Sequence, residues 1–243
     1  MQHGMWHGAW CWRQWQELFA EWGWESHAFS LPGHAGSPVQ RPIWRCTLDY
    51  YLHFLKAEVE RLPCKPILMG HSMGGALTQW YFKYVGDDLP AAILVAPWPS
   101  HSALALAGLW WHLDAAGVLL SALTFSAQPY VRTPEHAAEK LISPRSIYTP
   151  DELFARLSPE SYLVMAQYNP PFWRPADQVK IPLLWLAGEK DAVITVEHER
   201  RSAAHYKADF AVVPNSAHNI MMEYNYHETA EMICDWLGKC GID

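Results

Sequence analysis

Short apolar runs and longer amphipathic stretches alternate along both ends of the chain. Residues 66–69, 91–96 and 181–187 are apolar without a break, and the run Asp209–Val213 is nearly so. Such runs are too short for helices and lack the polar alternation of a half-exposed strand, so they predict strands buried on both faces. Residues 24–30 are read as a further strand, closing in the turn-rich loop Leu31-Pro32-Gly33-His34. Between these runs the period changes to that of a helix. Trp12, Trp15, Leu18, Phe19 and Trp22 share one helical face, and residues 76–84 carry aromatics at helical spacing. Thr47 with Asp49 marks a capped start for a helix reaching about Arg61. A helix containing Glu197, Glu199, Arg200 and Arg201 follows the third run, and a last one spans about Tyr226–Lys239. Strand and helix in alternation predict an α/β fold with a mostly parallel sheet covered on both faces.

From about Trp98 to Pro175 the alternation stops. Helix-like pieces lie between proline turns, and Thr133-Pro134-Glu135 and Thr149-Pro150-Asp151 each place a capping threonine before a proline suited to the first helical position. The expected organisation is one core from residues 1–97 and 176–243, with residues 98–175 as a helical cap.

Composition narrows the function classes. Half of the 243 residues are hydrophobic and 14 are tryptophan, enough for one core and an apolar pocket besides. The net charge of −7, without a basic cluster, argues against nucleic acid and anionic membranes as partners. The richest apolar stretch, residues 103–123, is interrupted by His112, Asp114 and two glycines, so no membrane span is expected. Cys11, Cys46, Cys64, Cys234 and Cys240 are odd in number and scattered, and no signal peptide is visible, which fits reduced thiols in a cytoplasmic protein.

The candidate chemistry centres on Gly70-His71-Ser72-Met73-Gly74-Gly75, a G-x-S-x-G pattern between a strand and a helix. It has the form of a nucleophile elbow, in which small flanking residues allow a strained turn to expose the serine. A serine hydroxyl needs a base within hydrogen-bonding reach and a group that orients the base. Asp191 lies just past one predicted strand and His218 just past the next, which in a parallel sheet sets both beside Ser72 at the carboxyl edge. Glu189 is the reserve acid, and His71, its side chain turned away from that of the serine, is read as a packing residue. The early histidines His3 and His7 do not make a metal site, since glycines separate them and no carboxylate accompanies them. Neither metal nor cofactor is expected.

The chain order Ser72, Asp191, His218, together with the opening His3-Gly4-Met5-Trp6-His7-Gly8-Ala9-Trp10, resembles the α/β-hydrolase superfamily over nearly the whole length. The opening is similar to the branch holding plant methyl esterases, hydroxynitrile lyases and bacterial esterases. The resemblance implies Ser72 as nucleophile, His218 as base and acid, Asp191 as orienting carboxylate, and the backbone N–H groups of Met5 and Met73 as oxyanion hole. It implies a serine esterase acting on small to medium apolar esters, as a monomer or homodimer. Lactone opening, perhydrolysis, acyl transfer, carbon–carbon hydrolysis and ligand reception without turnover use the same triad. A hydroxynitrile lyase would carry lysine where this chain has Asn219, and relatives that use an aspartate nucleophile, the epoxide hydrolases and haloalkane dehalogenases, are excluded by Ser72.

Trp98, Trp110, Trp111, Phe125, Tyr130, Tyr162, Phe172 and Trp173 fall in the cap, and Trp98, Trp110, Trp111, Phe125 and Trp173 are the candidates to line an apolar pocket. One departure from the family pattern concerns the sheet. Relatives place a strand before the His-Gly loop, between residues 24–30 and the strand leading to Ser72, where this sequence has Met1 and Gln2. The expectation is a natural chain that starts upstream, a gap inside the sheet and a poorly anchored Met5.

Overall fold

A computed structural model describes residues 1–242. Four parallel strands, β1 (Leu68–His71), β2 (Ala92–Val95), β3 (Leu183–Gly188) and β4 (Asp209–Val213), pair in chain order. Every residue of β1, β2 and β3 is buried, as their unbroken apolar runs require, whereas β4 at the edge is exposed at Asp209. Before β1 come α1 (Arg13–Glu21) and α2 (Leu48–Arg61), and α3 (Met73–Tyr84) links β1 to β2. Between β2 and β3 lie α4 (Ala107–Thr124), α5 (Pro134–Leu141), α6 (Pro150–Phe154) and α7 (Tyr162–Gln167). The chain finishes with α8 (Val196–Tyr206), β4 and α9 (Tyr226–Lys239).

The helices cover the sheet in two groups. α1 packs on α9, with the Trp15 indole N–H donating to the Tyr226 carbonyl at 2.9 Å. α2 packs on α3, joined by the Trp80 indole N–H to Asp49 at 2.8 Å, and α3 meets α8 through Phe82 and Tyr206. The threonine caps act as the sequence predicts. Thr47, Thr133 and Thr149 each accept a backbone N–H three residues on, the last two with proline in the first turn.

In residues 103–123 the interruptions bend the apolar stretch without ending it. Helix lies on both sides of Asp114 and takes in His112 and both glycines, and the stretch Ala103–Thr124, whose most apolar 18-residue window has mean hydropathy 1.5 and is 17% buried, is by length and composition apolar enough to cross a membrane. Asp114 marks a kink (φ −159°, ψ 73°). Its carboxylate accepts the Gly117 N–H and pairs with Arg132 at 2.6 Å and Lys140 at 3.2 Å. Burial opposes that charge, yet these partners hold its pKa below the ordinary carboxylate value.

Residues 24–30 also differ from expectation. They form no ladder except at Phe29, which bridges Gln2, and Gln2 in turn bridges Gly70 on its other side. Gln2 is thus a strand one residue long, donating to the Met69 carbonyl at 2.8 Å and accepting the His71 N–H at 3.0 Å. Because it pairs with both neighbours, the two walls stand two interstrand spacings apart, about 9–10 Å. From Met1 a groove of about 480 Å³ continues between them, lined by Phe29 and Ile67 from the walls and by Phe19, Leu55, Ile233 and Leu237 from the covering helices. A strand is defined by its neighbours, and residues 24–28 face this groove rather than a partner.

The groove has the width and apolar faces of one more parallel strand. A segment such as Val-Ile-Val-Leu fused ahead of Met1 is expected to add about 2 kcal/mol of stability after its ordering entropy, or roughly 4–8 °C in thermal midpoint. Calorimetry against a fusion of equal length carrying Pro and Asp checks this, since equal midpoints for the two fusions would contradict strand insertion.

Candidate active site

Ser72 stands where β1 gives way to α3, at φ 52° and ψ −118°, in backbone space that non-glycine residues rarely occupy. The turn is held by tight packing on both sides. A Cβ at Gly74 would run into the Gln2 carbonyl, and one at Gly4 would lie 2.8 Å from the Ser72 Cβ. The glycines therefore let the opening loop and the elbow touch backbone to backbone.

His218 follows β4 and turns inward, 2% exposed. Its Nε2 lies 2.8 Å from the Ser72 hydroxyl, and its Nδ1 lies 2.7 Å from an Asp191 carboxylate oxygen. A carboxylate only accepts, so Nδ1 carries the proton and Nε2 is left to accept from the serine. Asp191, in the turn after β3, is fixed in its turn, its other oxygen accepting the N–H groups of Val193 at 2.7 Å and Ile194 at 2.9 Å. The reserve acid Glu189 instead accepts the Asn215 N–H and is half-exposed. His71 packs as expected. Its ring lies 4.9 Å from that of His218 and its Nε2 is 3.1 Å from the His218 carbonyl, while burial lowers its pKa well below the usual histidine value.

Met5 and Met73 flank the serine, and neither backbone N–H donates to a protein acceptor among the described residues. The loop bearing Met5 is better anchored than the sequence suggests. Gln2 ties it to β1 on two hydrogen bonds. His3 donates from Nδ1 to the Gly4 carbonyl at 2.8 Å and accepts the Leu31 N–H at 3.0 Å. Burial keeps both His3 and His7 neutral, the pKa of His7 being lowered to about 4. The Leu31-Pro32-Gly33-His34 loop is anchored in turn. His34 reaches Glu160 at 3.0 Å with both side chains fully buried, and the Tyr51 hydroxyl donates to the same carboxylate at 2.9 Å.

A cavity of about 30 Å³ opens beside Ser72 and His218. Of the five candidate lining residues, Trp98 and Trp110 reach it, joined by Tyr130 from the same region of the chain. Trp111 and Phe125 do not, being 48% and 62% exposed, and Phe172 also faces outward. α4 is apolar all round, so hydropathy could not choose between adjacent tryptophans about 100° apart on it. Trp173 is also absent from the cavity, its ring against those of both Trp80 and Tyr168 and its indole N–H on the Ser100 carbonyl, and Tyr162 lies outside it, half-buried. Met5, Trp6, Leu113, Lys140, Leu141 and Val193 complete the lining. Of these only Met5 and its neighbour Trp6 carried a sequence signal. Among the described residues no group of three or more potential metal ligands occurs.

The sequence matches the alpha/beta hydrolase family over residues 3–232. No curated protein sequence matches it. Solved structures share the fold. A methylesterase from Arabidopsis superposes with a TM-score of 0.70 at 18% identity, over 96% of this chain and 95% of its own. A thermophilic esterase from Thermogutta terrifontis gives 0.74 at 18%, over 98% and 88%. Polyneuridine aldehyde esterase gives 0.71 at 17%, over 96% of each chain. Identities this low speak for fold alone, but the family match takes in all four strands together with Ser72, Asp191 and His218, and the chain belongs to the α/β-hydrolase family.

Proposed function

We propose that the protein is a serine carboxylesterase of short, apolar esters. The observation that carries this reading is the buried relay from Ser72 through His218 to Asp191, at 2.8 and 2.7 Å, opening on a cavity with apolar walls. His218 takes the hydroxyl proton as Ser72 attacks the ester carbonyl, and Asp191 stabilises the imidazolium that forms. The oxyanion settles on the N–H groups of Met73, at the start of α3, and Met5. Collapse breaks the ester C–O bond, with His218 returning the proton to the leaving alkoxide. Water, deprotonated by His218, then releases the acid and restores Ser72.

Size favours the short end of the ester range. A cavity of about 30 Å³ holds little more than a water or two, far below the several hundred Å³ of drug-sized sites. An acetyl or propionyl group is therefore the preferred acyl portion, and longer chains require Trp110 or Leu141 to yield.

A panel of 4-nitrophenyl esters tests both parts. Ser72→Ala is expected to lose activity on the order of a millionfold, and His218→Ala similarly. Acetate is expected to exceed hexanoate by about tenfold or more in kcat/KM, and Trp110→Ala to narrow that gap, because one methylene in such a pocket is worth roughly tenfold or more. Turnover surviving in Ser72→Ala would reject the mechanism, and a preference for hexanoate would reject the size argument.

A further inference from the structure

His7 is one of the two histidines that open the chain, and the triad mechanism gives it no part. It is 1% exposed and sits between the two halves of the site. Its Nδ1 lies 2.6 Å from the Met5 carbonyl and its Nε2 lies 3.0 Å from the side-chain amide nitrogen of Asn219, the residue after His218. A carbonyl can only accept, so the ring proton is on Nδ1. Burial keeps the ring neutral, which leaves Nε2 as an acceptor and turns the Asn219 amide so that its N–H points at it. The ring has little freedom to pivot, stacked on Trp10 at 5.4 Å and meeting His71 edge-on at 5.8 Å.

We propose that His7, held by Asn219, is a positioning residue that fixes the Met5 oxyanion amide relative to the His218 imidazole. The proposal rests on the esterase reading for its chemistry. The contacts close a ring through the site, from the Met5 carbonyl to His7, to Asn219, along the chain to His218, and by hydrogen bond to Ser72, against which Gly4 packs. Asn219 extends the ring to the lining of the cavity, its backbone N–H donating to the Leu141 carbonyl at 2.8 Å. The need for such a tie follows from the fold. The loop leaves a strand one residue long, so its position is set by side chains as much as by the sheet. An oxyanion donor works only within a few tenths of an ångström of its best distance, and a small drift of Met5 weakens transition-state binding while leaving substrate binding alone. This also assigns Asn219 a task different from that of the lysine expected at this position in a lyase.

A short-chain trifluoromethyl ketone, whose tetrahedral adduct on Ser72 places an oxyanion in the hole, is the probe. Its affinity is read by calorimetry alongside ester kinetics for wild type, His7→Leu, His7→Asn, Asn219→Leu and the double variant His7→Leu/Asn219→Leu. His7→Leu and Asn219→Leu are each expected to lower ketone affinity and kcat by about tenfold, with KM within about twofold, because only the transition state is affected. The double variant is expected to be no worse than His7→Leu alone, since the two residues act as one link. His7→Asn, which keeps a donor near the Met5 carbonyl, is expected to recover part of the loss. Unchanged ketone affinity in the leucine variants, even with a lowered thermal midpoint, would overturn the proposal. So would additive losses in the double variant, or an Asn variant as poor as the Leu one. A wild type that binds the ketone but hydrolyses no ester would reject the esterase reading instead, and the ketone affinities would still decide the role of His7.

Discussion

The site depends on the positive φ of Ser72. That conformation costs on the order of 1–3 kcal/mol for a non-glycine residue and persists only when its surroundings fix it. Here the fixing is done from three sides. The Ser72 N–H donates to the Val95 carbonyl of β2, the Ser72 carbonyl accepts the first turn of α3, and the opening loop presses against the elbow at Gly4 and Gly74. Remove any of the three and the serine has a cheaper backbone available, pointing its hydroxyl elsewhere. The tight contacts that look like packing detail are thus what makes an ordinary hydroxyl available to a base.

Burial supplies the rest of the chemistry. His3, His7, His34, His71 and His218 are all at most 2% exposed, and among them only His34 has a buried carboxylate partner besides the one that serves the triad. Burial alone would lower the pKa of His34, but Glu160 raises it above the usual histidine value, while His3, His7 and His71 are lowered and stay neutral. Neutral rings of fixed tautomer act as rigid two-ended connectors, donating at one nitrogen and accepting at the other. Buried carboxylates with basic partners occur at Asp191 and at the Glu160 and Asp114 clusters, the first of these clusters tying the segment between β2 and β3 to the His34 loop and α2, the second tying α4 to α5.

Much of this was legible in the residues. Buried parallel strands, threonine caps and the positions of Ser72, Asp191 and His218 follow from short-range patterns, because each is set by its own few neighbours in sequence. What depended on distant neighbours was not legible. Residues 24–30 have strand-like composition but no partner along most of their length, and pairing decides what a strand is. α4 is apolar on every side, so nothing in its sequence told Trp110, which faces the cavity, from Trp111, which faces out. His7 was visible from the start as an oddity, yet its contacts with Met5 and Asn219 span up to 212 positions, and no spacing rule connects them.

If the proposed chemistry holds, Ser72 becomes acylated during turnover with His218 as base. Intact-mass analysis after mixing with 4-nitrophenyl acetate, followed by peptide mapping, tests it most directly. An acetyl group is expected on Ser72, accumulating when acidic quenching is fast and absent from Ser72→Ala. Release of 4-nitrophenol with no acyl group on Ser72, or with the group on another residue, would contradict it.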